Sequence, residues 1–163
     1  MPRGKPGVPV TQPETRFLSE WIAARHPNDR VQLQPRLGGL TPEIQVQGLS
    51  ANELRMLGVW RRYPDAILFY DRSVTIVEAS LKPEPGHLGH LLVYAKLFPL
   101  TPEFSDFKDY RVDRLAVWAM SDLATAAVAA QLGIQTEVFT PAWIGDVISG
   151  WQARHQRAAR LTP

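Results

Sequence analysis

The chain has 163 residues, of which 45% are apolar and 21% charged, enough for one domain with a buried core. Its net charge of +2 is too small to indicate nucleic-acid binding by itself, and the absence of cysteine excludes disulfides and thiolate metal sites. No apolar run is long enough for a membrane-spanning helix, and the N-terminus lacks the apolar core of a secretory signal. We therefore expect a cytoplasmic protein with no membrane partner.

The two ends of the chain differ in composition from its middle. Residues 1–13 contain four prolines and two glycines, which predicts an extended arm, and residues 153–163 form a basic tail. Residues 14–152 are then predicted to form a single domain. Basic residues at chain ends either contact phosphates or simply keep the termini solvated, and both interpretations stay open. These residues are Arg3, Lys5, Arg154, Arg157 and Arg160, with Arg61 and Arg62 as an internal pair.

Taken in chain order, the hydrophobic patterns predict alternating helices and strands. In the first half, helices are predicted from Thr15 to about Arg25 and over 50–60, with a strand over 31–37 and a short one near 44–46. A hairpin of strands 66–70 and 74–81 follows. The remaining predicted elements are a helix over 87–98, a strand over 112–120, a helix from Asp122 to Gly133, a strand over 135–140 and a helix from Pro141. This order indicates a mixed sheet with helices on both faces.

Each arm of the predicted hairpin carries one carboxylate in an apolar context. Asp65 follows Pro64 at the start of the first strand, and Glu78 lies near the end of the second. A turn near residues 71–73 places the two acids roughly opposite one another, close enough to share a divalent cation. Two structural alternatives remain open: Asp65 caps a turn, or Glu78 pairs with Lys82 or Arg62.

The order of elements and this acid pair resemble the PD-(D/E)xK nuclease superfamily, over about residues 14–150. In that family a Pro-Asp opens one strand and a Glu-x-Lys closes the next, but here the lysine position holds Ser80. His90-x-x-x-Tyr94 is similar to the Gln-x-x-x-Tyr segment of the branch related to recombination exonucleases. The resemblance implies an α/β, restriction-endonuclease-like fold with a mixed sheet flanked by helices on both faces.

The resemblance also implies a site and a chemistry. In an active enzyme, Asp65, Glu78 and the Ala79 carbonyl would bind Mg²⁺ or Mn²⁺, and the ion would activate a water for phosphodiester hydrolysis. A catalytically degenerate protein is expected to have no cofactor. Ser80 cannot supply the positive charge of the usual lysine, so Lys82 is the candidate for a displaced catalytic lysine. The possible accessory residues are Ser80, His90 and Tyr94.

Two functions follow from this resemblance. The preferred one is a DNA-associated, catalytically degenerate protein that acts as a structural or adaptor component, for example of a phage virion. The alternative is an active Mg²⁺-dependent deoxyribonuclease. DNA is the expected partner in both, a protein partner or a second copy of the chain is compatible with the first, and a phage protein would be located in the virion.

Other residue patterns are read as structural. His87 and His90 have the spacing of a zinc pair on a helix, but the sequence offers no obvious third ligand, which favours polar surface or contact with the nearby acids. The five tryptophans fall on apolar faces and are predicted to be core residues rather than base-stacking platforms. A nucleophile elbow and a phosphate-binding glycine loop are both missing from the sequence.

Overall fold

A computed structural model of the protein describes residues 13–38 and 63–160, and side chains as far as residue 153. The predicted helix over 50–60 and strand near 44–46 lie outside the described residues. The helices are α1 (Pro13–Arg25), α2 (Pro85–Leu97), α3 (Leu123–Gln131) and α4 (Ile144–Arg160), and two 3₁₀ turns (Phe98–Leu100 and Pro102–Phe107) follow α2. The strands are β1 (Arg30–Leu33), β2 (Ala66–Phe69), β3 (Ser73–Ser80), β4 (Arg111–Trp118) and β5 (Gln135–Val138).

The five strands form one mixed sheet in the order β1-β2-β3-β4-β5. The first three strands pair antiparallel, and β3, β4 and β5 pair parallel. The two parallel connections run through α2 and α3, as parallel strands require. The chain thus has the predicted α/β fold with a mixed sheet, in which an antiparallel hairpin leads into a parallel half.

Each face of the sheet is covered by helices and has its own apolar cluster. The α2 face is covered by α2 and α3, and its cluster includes Ile76, Leu91 and Trp118. The α1 face is covered by α1 and α4, and its cluster includes Phe17 and Val77. Because β3 is covered on both sides, Val74 to Ser80 are all buried, and any polar group on this strand has lost contact with bulk water.

Most predicted elements are present, with different ends. The predicted helix stop at Gly133 is confirmed: its φ is +67°, and the N–H groups of Gly133 and Ile134 donate to the carbonyls of Ala130 and Ala129. Strand β1, by contrast, is shorter than predicted. Gln34 adopts a φ of +44°, and its N–H donates to the Asp65 carbonyl at 3.0 Å, which ends the regular strand.

The C-terminal part of the chain is helical where the sequence predicts a basic tail. Helix α4 continues to Arg160, through most of the residues predicted to form a basic tail, and the domain boundaries at residues 13 and 153 stay predictions. Among the described residues, no helix is both long enough and apolar enough to cross a membrane.

Candidate metal centre

The register of the hairpin brings the two predicted acids together. Ala66 pairs with Val77, so one step further along the antiparallel ladder sets Asp65 opposite Glu78. Residues directly opposite in such a pair project to the same side of the sheet. The Oδ2 atom of Asp65 also accepts a hydrogen bond of 2.8 Å from the Ala79 N–H. The Asp65 carboxylate is therefore held against the end of β3, beside Glu78.

Burial makes the ionised form of both acids costly. Burial first, and then the negative charge of Asp65, raise the pKa of Glu78 to about 8, against a hydrogen bond from the Tyr94 hydroxyl that lowers it. Burial also raises the pKa of Asp65, opposed by the Ala79 hydrogen bond and by the nearby His87 and His90. A divalent cation would compensate both charges, because its own charge reverses the local cost of ionisation.

The acid pair opens into a cleft with a strongly acidic lining. The cleft has a volume of about 220 Å³. Among the residues that the structure describes, its lining comprises four carboxylates, one imidazole and an alanine: Glu14, Asp65, Glu78, Glu84, His87 and Ala79. A neighbouring hollow of about 300 Å³ between α1 and β1 shares Asp65 and Ala79 with it. Such a cleft concentrates cations and repels phosphate until an ion neutralises it.

Ser80 stands where the nuclease resemblance predicts a lysine, and its hydroxyl is engaged in a hydrogen bond. Ser80 is 4% exposed, and its Oγ donates to the Lys82 carbonyl at 2.7 Å, which fixes the turn after β3. The Lys82 ammonium lies 5.7 Å from the centre of the Trp151 ring. Trp151 packs on the α1 face, whereas Glu78 meets Tyr94 of the α2 face. The side chains of Lys82 and Glu78 thus diverge, because β3 ends at Ser80 and the alternation stops there.

Helix α2 brings two imidazoles to the acid pair. His87 and His90 lie in its first two turns with ring centres 5.8 Å apart, and the His90 ring is 5.8 Å from that of Tyr94. The Nε2 atom of His87 is 3.6 Å from a carboxylate oxygen of Glu84, so the expected contact with nearby acids is present. One ligand atom each from Glu78, His87 and His90 lie within 4.8 Å of one another. Glu78 thus joins the two histidines in a cluster that the linear spacing does not reveal.

Sequence reasoning missed other members of the cleft. Glu14 follows Pro13 at the start of α1, where an acid is ordinarily explained by the helix dipole. Glu84 stands between two prolines, in a segment whose composition indicates only a break in the chain. Neither residue carries a local signal of a site, since only the packing of α1 and α2 against the hairpin brings them to it.

Comparisons with known proteins give a fold likeness only. No protein-family model and no curated protein matches the chain. A structure of EndoMS in complex with double-stranded DNA is similar at 8% identity and a TM-score of 0.49, covering 85% of this chain and 49% of that chain. A crystal structure of a protein of unknown function is similar at 10% identity and a TM-score of 0.40, covering 79% of this chain and 56% of that chain.

This chain spans about half the length of those two chains. Both TM-scores lie below 0.5, which is too low to carry the role of any residue from either protein to this one.

Proposed function

We propose that the chain is a DNA-associated protein on a PD-(D/E)xK nuclease-like scaffold that keeps a divalent-cation site but has lost the hydrolytic machinery around it. The observation that carries the proposal is the hairpin register, which sets Asp65 against Glu78 at one end of the sheet. Asp65, Glu78 and the Ala79 carbonyl would hold Mg²⁺ or Mn²⁺. Two carboxylates with water filling the remaining positions suit such hard ions.

The loss of hydrolysis follows from position 80. A bound cation would polarise a phosphate and activate a water, but the developing negative charge also needs a positive group close by. Ser80 has no charge and donates to Lys82, while the Lys82 ammonium lies over Trp151. A protein of this kind would act as a structural or adaptor component beside DNA, in a virion or in another complex.

A gain-of-function variant tests the degenerate site directly. Ser80→Lys should increase Mg²⁺-dependent nicking of supercoiled plasmid by about 10- to 100-fold, because it returns an ammonium to the scissile phosphate. The matched control is Ser80→Met, which has similar bulk and no charge. The increase must disappear in Ser80→Lys combined with Asp65→Asn. Equal nicking by the lysine and methionine variants would contradict the assignment of position 80.

The alternative function, an active Mg²⁺-dependent nuclease, is favoured by the intact acid pair and its open cleft. Wild-type protein would then cut plasmid in Mg²⁺, and Asp65→Asn and Glu78→Gln would each abolish the cutting. Cutting at the same rate by all three proteins would indicate a contaminant. No cutting by the wild type, together with DNA binding, supports the degenerate version.

Binding of DNA depends, in this proposal, on the arginines late in α4. Replacing Arg154, Arg157 and Arg160 together by alanine should weaken binding to a short duplex. It should also reduce the slope of log affinity against log salt by about 1 for each phosphate that these arginines neutralise. Fluorescence anisotropy at several salt concentrations measures both the affinity and the slope.

The control is Arg111→Ala, because Arg111 is the first residue of β4 and its side chain is 75% exposed. An unchanged slope in the triple variant would rule out these arginines as the groups that bind the DNA backbone.

A further inference from the structure

We propose that Glu78, His87 and His90 form a binding site for a first-row transition-metal ion, with Zn²⁺ as the preferred occupant. The site shares the cleft and Glu78 with the acid pair. It therefore rests on the proposed function for its place in the molecule, but it assigns a different class of ion and two further ligands. The residues come from two elements, one from the end of β3 and two from the start of α2.

The geometry needs little adjustment to surround an ion. The three ligand atoms already lie within 4.8 Å of one another. Zinc bonds to imidazole nitrogen and carboxylate oxygen are about 2.0–2.2 Å long, so the ligands of one ion lie about 3–4 Å apart. Side-chain rotations that move each atom by about 1 Å close that gap. His87 and His90 are three residues apart on one helix, which keeps both rings on the same side.

The local surroundings leave His87 available as a ligand. Its Nδ1 atom is buried and finds no hydrogen-bond partner among the described residues. Its Nε2 atom is 3.6 Å from a Glu84 carboxylate oxygen. In metal sites the second ring nitrogen of a ligating histidine commonly meets a carboxylate, which fixes the ring orientation. Glu84 is thus placed to orient the His87 ring, which leaves Nδ1 as the nitrogen to bind the ion.

The ligand types select the ion. Imidazole suits Zn²⁺ and its first-row neighbours, whereas Mg²⁺ prefers oxygen ligands and keeps several of its waters. Two imidazoles with one carboxylate leave at least one coordination position open, as in zinc sites that bind a water or a substrate oxygen. Glu78 belongs to both ligand sets. The cleft therefore holds a hard ion through Asp65 and Glu78, or a transition-metal ion through Glu78 and the histidines.

Calorimetric titration of the metal-free, full-length protein with Zn²⁺ and, separately, with Mg²⁺ tests the assignment. The wild type should bind one Zn²⁺ per chain. His87→Ala and His90→Ala should each weaken Zn²⁺ binding by at least about 100-fold, since they remove direct ligands. Both should leave Mg²⁺ affinity within about twofold of wild type, because neither imidazole suits that ion. Asp65→Asn should weaken Mg²⁺ binding and leave Zn²⁺ affinity nearly unchanged. The visible absorption of bound Co²⁺ gives a second readout that reports imidazole ligation.

The control is His26→Ala, because His26 pairs with Asp29 at the end of α1, away from the cleft. If either alanine variant fails to fold by circular dichroism, His87→Gln and His90→Gln replace it. Unchanged Zn²⁺ affinity in the histidine variants would overturn this inference, with the proposed function intact if Mg²⁺ still depends on Asp65. Mg²⁺ binding that is unchanged in both Asp65→Asn and Glu78→Gln would instead overturn the proposed function.

Discussion

Replacing Glu78 with glutamine is expected to stabilise the protein at alkaline pH and to leave its stability nearly unchanged at pH 5. The pKa of Glu78 is about 8 in the folded protein, against an ordinary value of 4.5 that applies to the unfolded chain. Between pH 4.5 and about pH 8, the Glu78 carboxyl keeps its proton in the folded state and releases it in the unfolded state. Wild-type stability therefore falls as pH rises through this window, at up to about 1.4 kcal/mol per pH unit. Glutamine has no proton to lose and can still accept from Tyr94.

Urea unfolding of both proteins in the presence of a chelator, at several pH values from 5 to 9, measures this effect. The free energy of unfolding of Glu78→Gln should exceed that of wild type by about 2–4 kcal/mol at the alkaline end. Glu14→Gln is the matched control, since Glu14 lines the same cleft but is exposed. Parallel stability curves for wild type and Glu78→Gln would show that Glu78 is not held protonated in the folded protein.

Removing the indole of Trp118 is expected to cause the largest loss of stability. Trp118 is 1% exposed, ends β4, belongs to the cluster on the α2 face and lies opposite Ser80 in the parallel ladder. Trp118→Ala should lower the free energy of unfolding by about 3–5 kcal/mol, because it opens a large cavity beside the end of β3. Thermal and urea unfolding measure the loss.

The matched comparison is Trp118→Phe, which keeps an aromatic ring at the same position. The Nε1 atom of Trp118 is buried with no hydrogen-bond partner among the described residues, so phenylalanine also removes an unsatisfied donor. We expect it to cost less than about 1.5 kcal/mol. Equal losses in the two variants would contradict the view that the loss of stability depends on the volume removed.

The sheet and its helices were largely predictable because their signals are local. The tight turn between β2 and β3 fixes the hairpin register, and that register alone brings Asp65 opposite Glu78. Asp122 caps α3 by accepting from the Ala124 N–H, and Gly133 ends the helix, as the sequence predicted. Turn and cap residues act within a few positions of themselves, which is why a single sequence reveals them.

The parts of the site that escaped prediction depend on tertiary packing. Lys82 is a candidate for a displaced lysine because it follows Ser80 by two residues, but β3 ends at Ser80 and the Lys82 ammonium lies 5.7 Å from the centre of the Trp151 ring. The pairing of Glu78 with His87 and His90 depends on how α2 packs on the sheet. No spacing rule links a strand residue to a helix that begins after an intervening loop, so the sequence alone does not show that Glu78 lies beside the two histidines.

The hydrogen bond from the Ala79 N–H to the Asp65 carboxylate is made by the main chain, so the orientation of Asp65 does not depend on which side chain residue 79 carries. A main-chain donor is present in every amino acid except proline, so the aspartate would keep its orientation through most replacements at that position. The small side chain there packs in the apolar cluster on the α1 face. Over evolutionary time the layer beneath the strand could be rebuilt without disturbing the carboxylate above it, and only a proline would affect both at once.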